Sequence, residues 1–122
     1  MKLTNRKIYE YALMLAEAFK DNEQKLPIKI NFYLQKNKAT LIELGQGIEQ
    51  AREELIQAHG ERTEDGNQYV IPKEKISIVQ SELEDLLNLE QDVNIYTVSI
   101  DSLNNDLMLS TAQMEALMFM IE

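Results

Sequence analysis

The sequence predicts an α+β fold that is mainly helical. Its plan is an antiparallel helical hairpin with a short β-hairpin at its tip, one further strand and a C-terminal helix. Three observations lead there. Leu34, Leu41, Ile48 and Leu55 recur every seven residues, and Ile76, Val79, Leu83 and Leu86 form a second stripe at helical spacing. Between the two stripes lies Asp65-Gly66, a tight-turn dipeptide with flanks that can pair. Val93 to Ile100 is a β-branched run with strand alternation.

The first element is a helix from about Asn5 to Lys20. Thr4 is placed to cap it, and Leu3 and Ile8 have the spacing of a hydrophobic staple. Ile8, Tyr11, Ala12, Leu15 and Phe19 make one apolar stripe, broken by the polar run Lys20 to Lys25. Because Glu17 interrupts the apolar stretch from Tyr11 to Phe19, this segment reads as an amphipathic helix and not as a signal peptide.

The second element opens at Leu26-Pro27 with two local readings. Leu26, Ile28, Ile30 and Phe32 alternate as in a strand, while Pro27 suits the first position of a helix. The longer pattern favours the helix. A second register, Ile30, Asn37, Leu44, Ala51 and Ala58, accompanies the first, so a coiled-coil seam is expected over about four heptads. Gly45 and Gly47 predict a kink or close packing. Gly60 is expected to end the helix in the left-handed conformation.

A two-residue turn with Gly66 at positive φ should follow, then a helix from Pro72 to about Leu89. This helix is shorter than its partner, so part of the first seam is left for another contact. Val93, Ile95, Thr97 and Ser99 alternate with Asn94, Tyr96, Val98 and Ile100 as the further strand. Asp101 to Asp106 is a loop. Ser110 and Gln113 match a capping box, and Met114, Leu117, Met118 and Ile121 form the apolar face of the last helix. Met120 lies off that face and is expected to be exposed. No composition break divides the chain, so residues 1–122 read as one domain.

Charge is unevenly spread. The net charge is −9, yet residues 1–60 hold nine Lys or Arg against eight acids, and residues 61–122 hold three against thirteen. No basic residue follows Lys75. Such a surface attracts basic proteins and repels nucleic acid and anionic membranes, although solubility alone also accounts for it. The exception is Lys25, Lys29, Lys36 and Lys38, interleaved with Phe32 and Tyr33. It reads as a solvated helix face or as a patch that meets the acidic half of another copy. No run is long enough to span a membrane.

Catalytic chemistry has few candidates. There is no Cys, which removes thiolate nucleophiles and Cys-type zinc sites. His59 is the lone histidine, and its place near a helix C-terminus suits support of that end. A calcium loop aligned on Gly66 puts Pro72 where the bidentate Glu belongs. Gly45-Gln46-Gly47 lacks the third glycine and the preceding strand of a dinucleotide loop. Adjacent acids such as Glu53/Glu54 and Glu84/Asp85 do not face one another on a helix.

Several stretches together carry a resemblance: KLPIKINF with Lys36-Asn37, E-x-A-R-E-E-L at 49–55, H-G-E-x-x-E-D-G-N at 59–67, S-E-L-E-D-L-L-N at 81–88 and L-S-T-A-Q-M-E-A-L at 109–117. With these the chain resembles small, uncharacterised acidic proteins of tailed phages and prophages of Gram-positive bacteria. The resemblance implies a phage origin and a protein-binding role, in the particle and its assembly or against a host target, with no catalytic residues to transfer.

The expectation is therefore a non-enzymatic interaction protein of the assembly or structural accessory type, in the host cytoplasm or the phage particle. Self-association is expected through an exposed seam of Ile30, Leu34, Leu41, Leu44, Ile48 and Leu55. A partner with a basic surface is expected at Glu82, Asp85, Asp92, Asp101, Asp106 and Met120. No catalytic residue, metal or cofactor, and no direct contact with nucleic acid or membrane, is expected. The alternative is an acidic inhibitor of a host nucleic-acid-binding protein, such as a defence nuclease or a polymerase, with its carboxylates in place of DNA phosphates.

Overall fold

A computed structural model describes residues 1–20, 26–103 and 108–122. Within them the order is β1 (Lys2–Thr4), α1 (Asn5–Ala18), α2 (Ile28–His59), β2 (Glu61–Arg62), β3 (Tyr69–Val70), α3 (Ile76–Asn88), β4 (Glu90–Asp92) and α4 (Thr111–Leu117), with short 3-10 turns before α3, at Ile100–Ser102 and after α4. The mainly helical α+β class holds. Both sheets among these residues are two-stranded and antiparallel, β1 with β4 and β2 with β3. No described helix is long and apolar enough to cross a membrane.

α1 forms where the sequence places it. The Thr4 hydroxyl accepts from the Lys7 N–H at 3.1 Å, and Leu3 and Ile8 are both buried in the core. The opening of α2 is helical, with Pro27 one position earlier than expected, as the residue preceding the first turn. Thirty-two residues then run unbroken through Gly45 and Gly47. Nothing lies within 4 Å of a side-chain carbon added at either glycine, so the expected close packing is absent.

α2 is the axis of the molecule. α1 and α3 pack along it, and α4 packs on α1. This covers the seam inside the chain. Ile30, Leu34, Leu41 and Ile48 are buried, and Leu44 and Leu55 are half-buried. The expectation of an exposed seam is thus overturned. The surface that the short α3 leaves open is taken by α1 and by the C-terminal segment, and of the six seam residues only Leu44 and Leu55 keep partial exposure. Burial of such aliphatic side chains contributes about 1.5–3 kcal/mol each.

Two buried asparagines fasten distant parts together. Asn5 Nδ2 donates to the Leu86 carbonyl near the end of α3 at 2.7 Å, and its Oδ1 accepts from Gln91 Nε2. Asn37, in the middle of the seam, donates to the Tyr96 carbonyl at 2.9 Å and accepts from the Tyr96 N–H at 2.8 Å.

That second bond corrects the strand expected at Val93 to Ile100. The backbone of Tyr96 is paired with a side chain, and Val98 with the C-terminus through bonds to Met120 and Glu122. No neighbouring strand is needed, and the inward phase changes between Ile95 and Val98. The strand here is the preceding Glu90–Asp92, pinned to the N-terminal Lys2–Thr4.

Other corrections are local. Gly66 does adopt φ +74°, but the loop has four residues, closed by Thr63 N–H to the Gln68 carbonyl. Gly60 is extended (φ −88°), so its role differs from the expected left-handed cap. An added Cβ there would sit 2.7 Å from the Ile56 carbonyl oxygen and 3.3 Å from Ile71. The capping box of Ser110 and Gln113 is present. α4 then tightens into a 3-10 turn at Met118–Met120, which rotates the phase. Met120 becomes fully buried and Met118 is 65% exposed, the reverse of the expectation.

Candidate functional site

A cup of about 260 Å³ opens where α1, α2 and α3 meet. Its lining is mostly aliphatic: Ile48 from α2 and Leu83, Leu86 and Leu87 from α3. Tyr9 of α1 and Glu49 and Arg52 of α2 form the polar part of its wall. Helical spacing explains the assembly. Glu49 follows the seam residue Ile48 and lies one turn from Arg52, whereas Leu83 and Leu86 share the inward face of α3.

The polar wall satisfies itself. The Tyr9 hydroxyl donates to Glu49 Oε2 at 2.9 Å, and Arg52 Nη1 donates to Glu49 Oε1 at 2.8 Å. Burial, with the bond to the Glu49 carboxylate, pushes the Tyr9 phenol up to about 12. The same bond from Tyr9, with the second from Arg52, holds the Glu49 carboxyl below its ordinary range. Both shifts run away from neutrality, so this pair is not tuned for proton transfer there. Each oxygen of the Glu49 carboxylate thus has a partner within the chain. The cup therefore offers an apolar interior.

α3 is tied down on both sides of the cup. Glu84 pairs with Arg6 of α1 at 2.8 Å, and Glu82 with His59 Nε2 of α2 at 3.0 Å. His59 thus links the two helices of the hairpin in addition to ending α2. Asp85, on the face of α3 turned away from Leu83, Leu86 and Leu87, is exposed and has no ion pair among the described residues.

A second surface lies at the other end of α2. Ile28 is 88% and Phe32 54% exposed, one turn apart. Lys29 Nζ lies 5.7 Å from the Tyr33 ring centroid and Lys36 Nζ 5.5 Å from that of Phe32. Tyr33 stacks on Tyr96 with centroids 5.1 Å apart. The lysine and aromatic interleaving seen in the sequence is a real surface, with lysines over rings. Lys25 lies outside the described residues.

The expected partner-binding residues separate. Glu82 and Asp85 share α3, Asp92 is exposed on β4 opposite Lys2, and Asp101 is exposed in the 3-10 turn. Asp106 lies outside the described residues. Met120 is withdrawn from any surface role, because it packs in the core against Asn37. Among the described residues, no group of three or more His, Asp or Glu is placed to hold a metal ion. In the hairpin loop, the Asp65 carboxylate accepts from the Thr63 hydroxyl and the Asn67 N–H, which hold its pKa low. That is the chemistry of a turn.

Comparison with protein-family models, with curated proteins and with solved structures gave no match. The cup is therefore assigned on geometry alone. Sequence reasoning missed Tyr9, Arg52 and Leu87. The spacing of Glu49 and Arg52 marks an ion pair, but nothing in the sequence says that Tyr9 arrives above it from another helix.

Proposed function

We propose that this chain is a non-enzymatic, phage-encoded interaction protein of the assembly-accessory kind. It takes a bulky apolar anchor of its partner into the cup, while the acidic C-terminal half draws a basic partner in. The observation that carries this reading is the apolar cup, on a chain with no base after Lys75.

Size supports a side chain as the occupant. Small-molecule sites commonly hold roughly 300–1,000 Å³, and the cup is below that range at about 260 Å³. One large side chain in such a pocket is the usual form of an interface hot spot. The acidic excess after Lys75 raises the rate at which a basic partner arrives. The resemblance to small acidic phage proteins supports the assembly role. The alternative, a DNA mimic, needs a row of free carboxylates; Glu82 and Glu84 instead pair within the chain.

Synthetic peptides with one Leu or Phe between lysines test the reading. They should shift the methyl resonances of Leu83, Leu86 and Leu87, and the same peptides with glutamates for lysines should not. Absence of any shift with the lysine peptides, up to the solubility limit, would sink it.

A further inference from the structure

We propose that a second copy of this chain lays the outer face of its α3 on the lysine edge at the start of α2. Asp85 and Leu89 of one copy then meet Lys36 and Phe32 of the other. The contact leaves the cup free, because Asp85 is turned away from the cup, and it stands whether or not the cup takes an apolar anchor.

The α2 face is apolar with a basic flank. At about 100° per residue, the exposed Ile28, Phe32, Lys36 and Lys29 follow one another round the helix within about 100°, away from the buried Ile30, Leu34 and Leu41. No acid occurs between Leu26 and Ile42, so this end of α2 is locally basic on a chain of net charge −9. The outer face of α3 has the opposite charge. The exposed Ile78, Asp85 and Leu89 lie within about 40° of one another round that helix. No base occurs between Ile76 and Glu90. Glu82, on the same stripe, bonds His59, whereas the Asp85 carboxylate has no ion pair among the described residues.

Spacing matches as well as charge. Phe32 and Lys36 stand about one helical turn apart, apolar residue first; Asp85 and Leu89 stand as far apart, charge first. Two helices that cross antiparallel therefore set Lys36 against Asp85 and Phe32 against Leu89 at once. The apolar pair supplies burial, and the charged pair at its rim fixes the register. The contact cannot form within one chain. Glu82 touches His59 at 3.0 Å. His59 stands 23 residues beyond Lys36 on the same unbroken helix, which is about 35 Å at 1.5 Å per residue. Asp85 is only one turn from Glu82, so Lys36 and Asp85 of the same chain stay far apart. The acidic face that fits the lysine edge is reached on another copy, and each copy carries both faces.

Exposed positions make the test clean. Phe32→Glu and Leu89→Glu each remove one face, and circular dichroism should report an unchanged fold, because Phe32 is 54% and Leu89 58% exposed. In sedimentation velocity the wild-type chain should associate as concentration rises, and both variants should stay monomeric over the same range. Lys36→Glu alone and Asp85→Lys alone should each weaken association about tenfold. Both changes in one chain restore opposite charges across the contact and should recover most of the loss. Glu84→Lys, about 100° round α3 from Asp85, should not recover it when combined with Lys36→Glu. A wild-type chain that stays monomeric, a Phe32→Glu or Leu89→Glu chain that still associates, or a charge-swapped chain no tighter than Lys36→Glu alone overturns the proposal.

Discussion

The carboxamide of Asn37 and the backbone of Tyr96 bond in both directions, at 2.9 and 2.8 Å, across a sequence separation of 59 residues. A side chain on a helix thus takes the place of a neighbouring strand and holds the C-terminal segment over α2. A third neighbour, the buried Met120 Sδ, accepts from Asn37 Nδ2 at 3.5 Å.

Removal of Asn37 should therefore be among the most damaging single changes. Asn37→Ala empties a fully buried position and leaves the Tyr96 N–H and C=O, which are only partly buried, without their partner, a loss of about 1–3 kcal/mol. A shift of the urea midpoint measures it. A midpoint unchanged from wild type would mean that water satisfies Tyr96 and that Asn37 fastens nothing.

The methionines at the C-terminus give a paired test. Met120→Ala empties a fully buried position and should destabilise by about 2–4 kcal/mol. Met118→Ala, at a position 65% exposed, should change stability by less than about 0.5 kcal/mol. Thermal melts of the two variants should separate clearly, and equal melts would contradict the 3-10 turn that sets their phase.

The glycines should divide by environment. Gly45→Ala and Gly47→Ala place a methyl in open space within a helix and should each stabilise by about 1 kcal/mol. Gly66→Val forces a branched side chain to φ +74° and should cost about 1–2 kcal/mol. Gly60→Ala meets the Ile56 carbonyl and should destabilise as well. Denaturant titrations of the four variants should give two changes of each sign.

Alkaline pH should loosen the cup. The Tyr9 phenol has an ordinary pKa near 10, raised in the fold to about 12. The folded state holds that proton more tightly, so the stabilisation is complete below pH 10 and is lost as pH rises towards about 12. Glu49 acts in the opposite direction. Its folded pKa is depressed, so its contribution is present above the ordinary carboxylate range and is lost as pH falls through the folded value. Tyr9→Phe should flatten the alkaline limb of the stability profile. An unaltered limb would show that other tyrosines carry it.

The fold was legible where one element determines its own shape. Thr4, the Leu3 and Ile8 staple, the Ser110 box and the heptads of α2 each specify local geometry, and each is found in place. The larger failures came from contacts between distant residues. Val93 to Ile100 has strand composition, but its backbone is claimed by Asn37 and by the C-terminus. The long seam reads as an interface until α1 is laid on it. Of the candidate site, the acids of α3 and the lysines of α2 were visible from composition. The cup was not, because Tyr9, Arg52 and Leu87 meet only when three helices pack.

The pairing of β1 with β4 sets an order of events during synthesis. Met1 and Val93 exchange backbone bonds across a separation of 92 residues, and Asn5 reaches to Leu86 and Gln91. The opening strand thus leaves the ribosome long before its mate exists. α2 and the β2–β3 hairpin consist of local contacts and can order as they emerge, and α1 can lie along α2 at once, whereas β1 waits for β4. A nascent chain halted before Leu89 would leave the backbone of β1 without its strand partner, an edge open to chaperones and proteases. The strand at Glu90–Asp92 closes this core by returning to secure Lys2–Thr4.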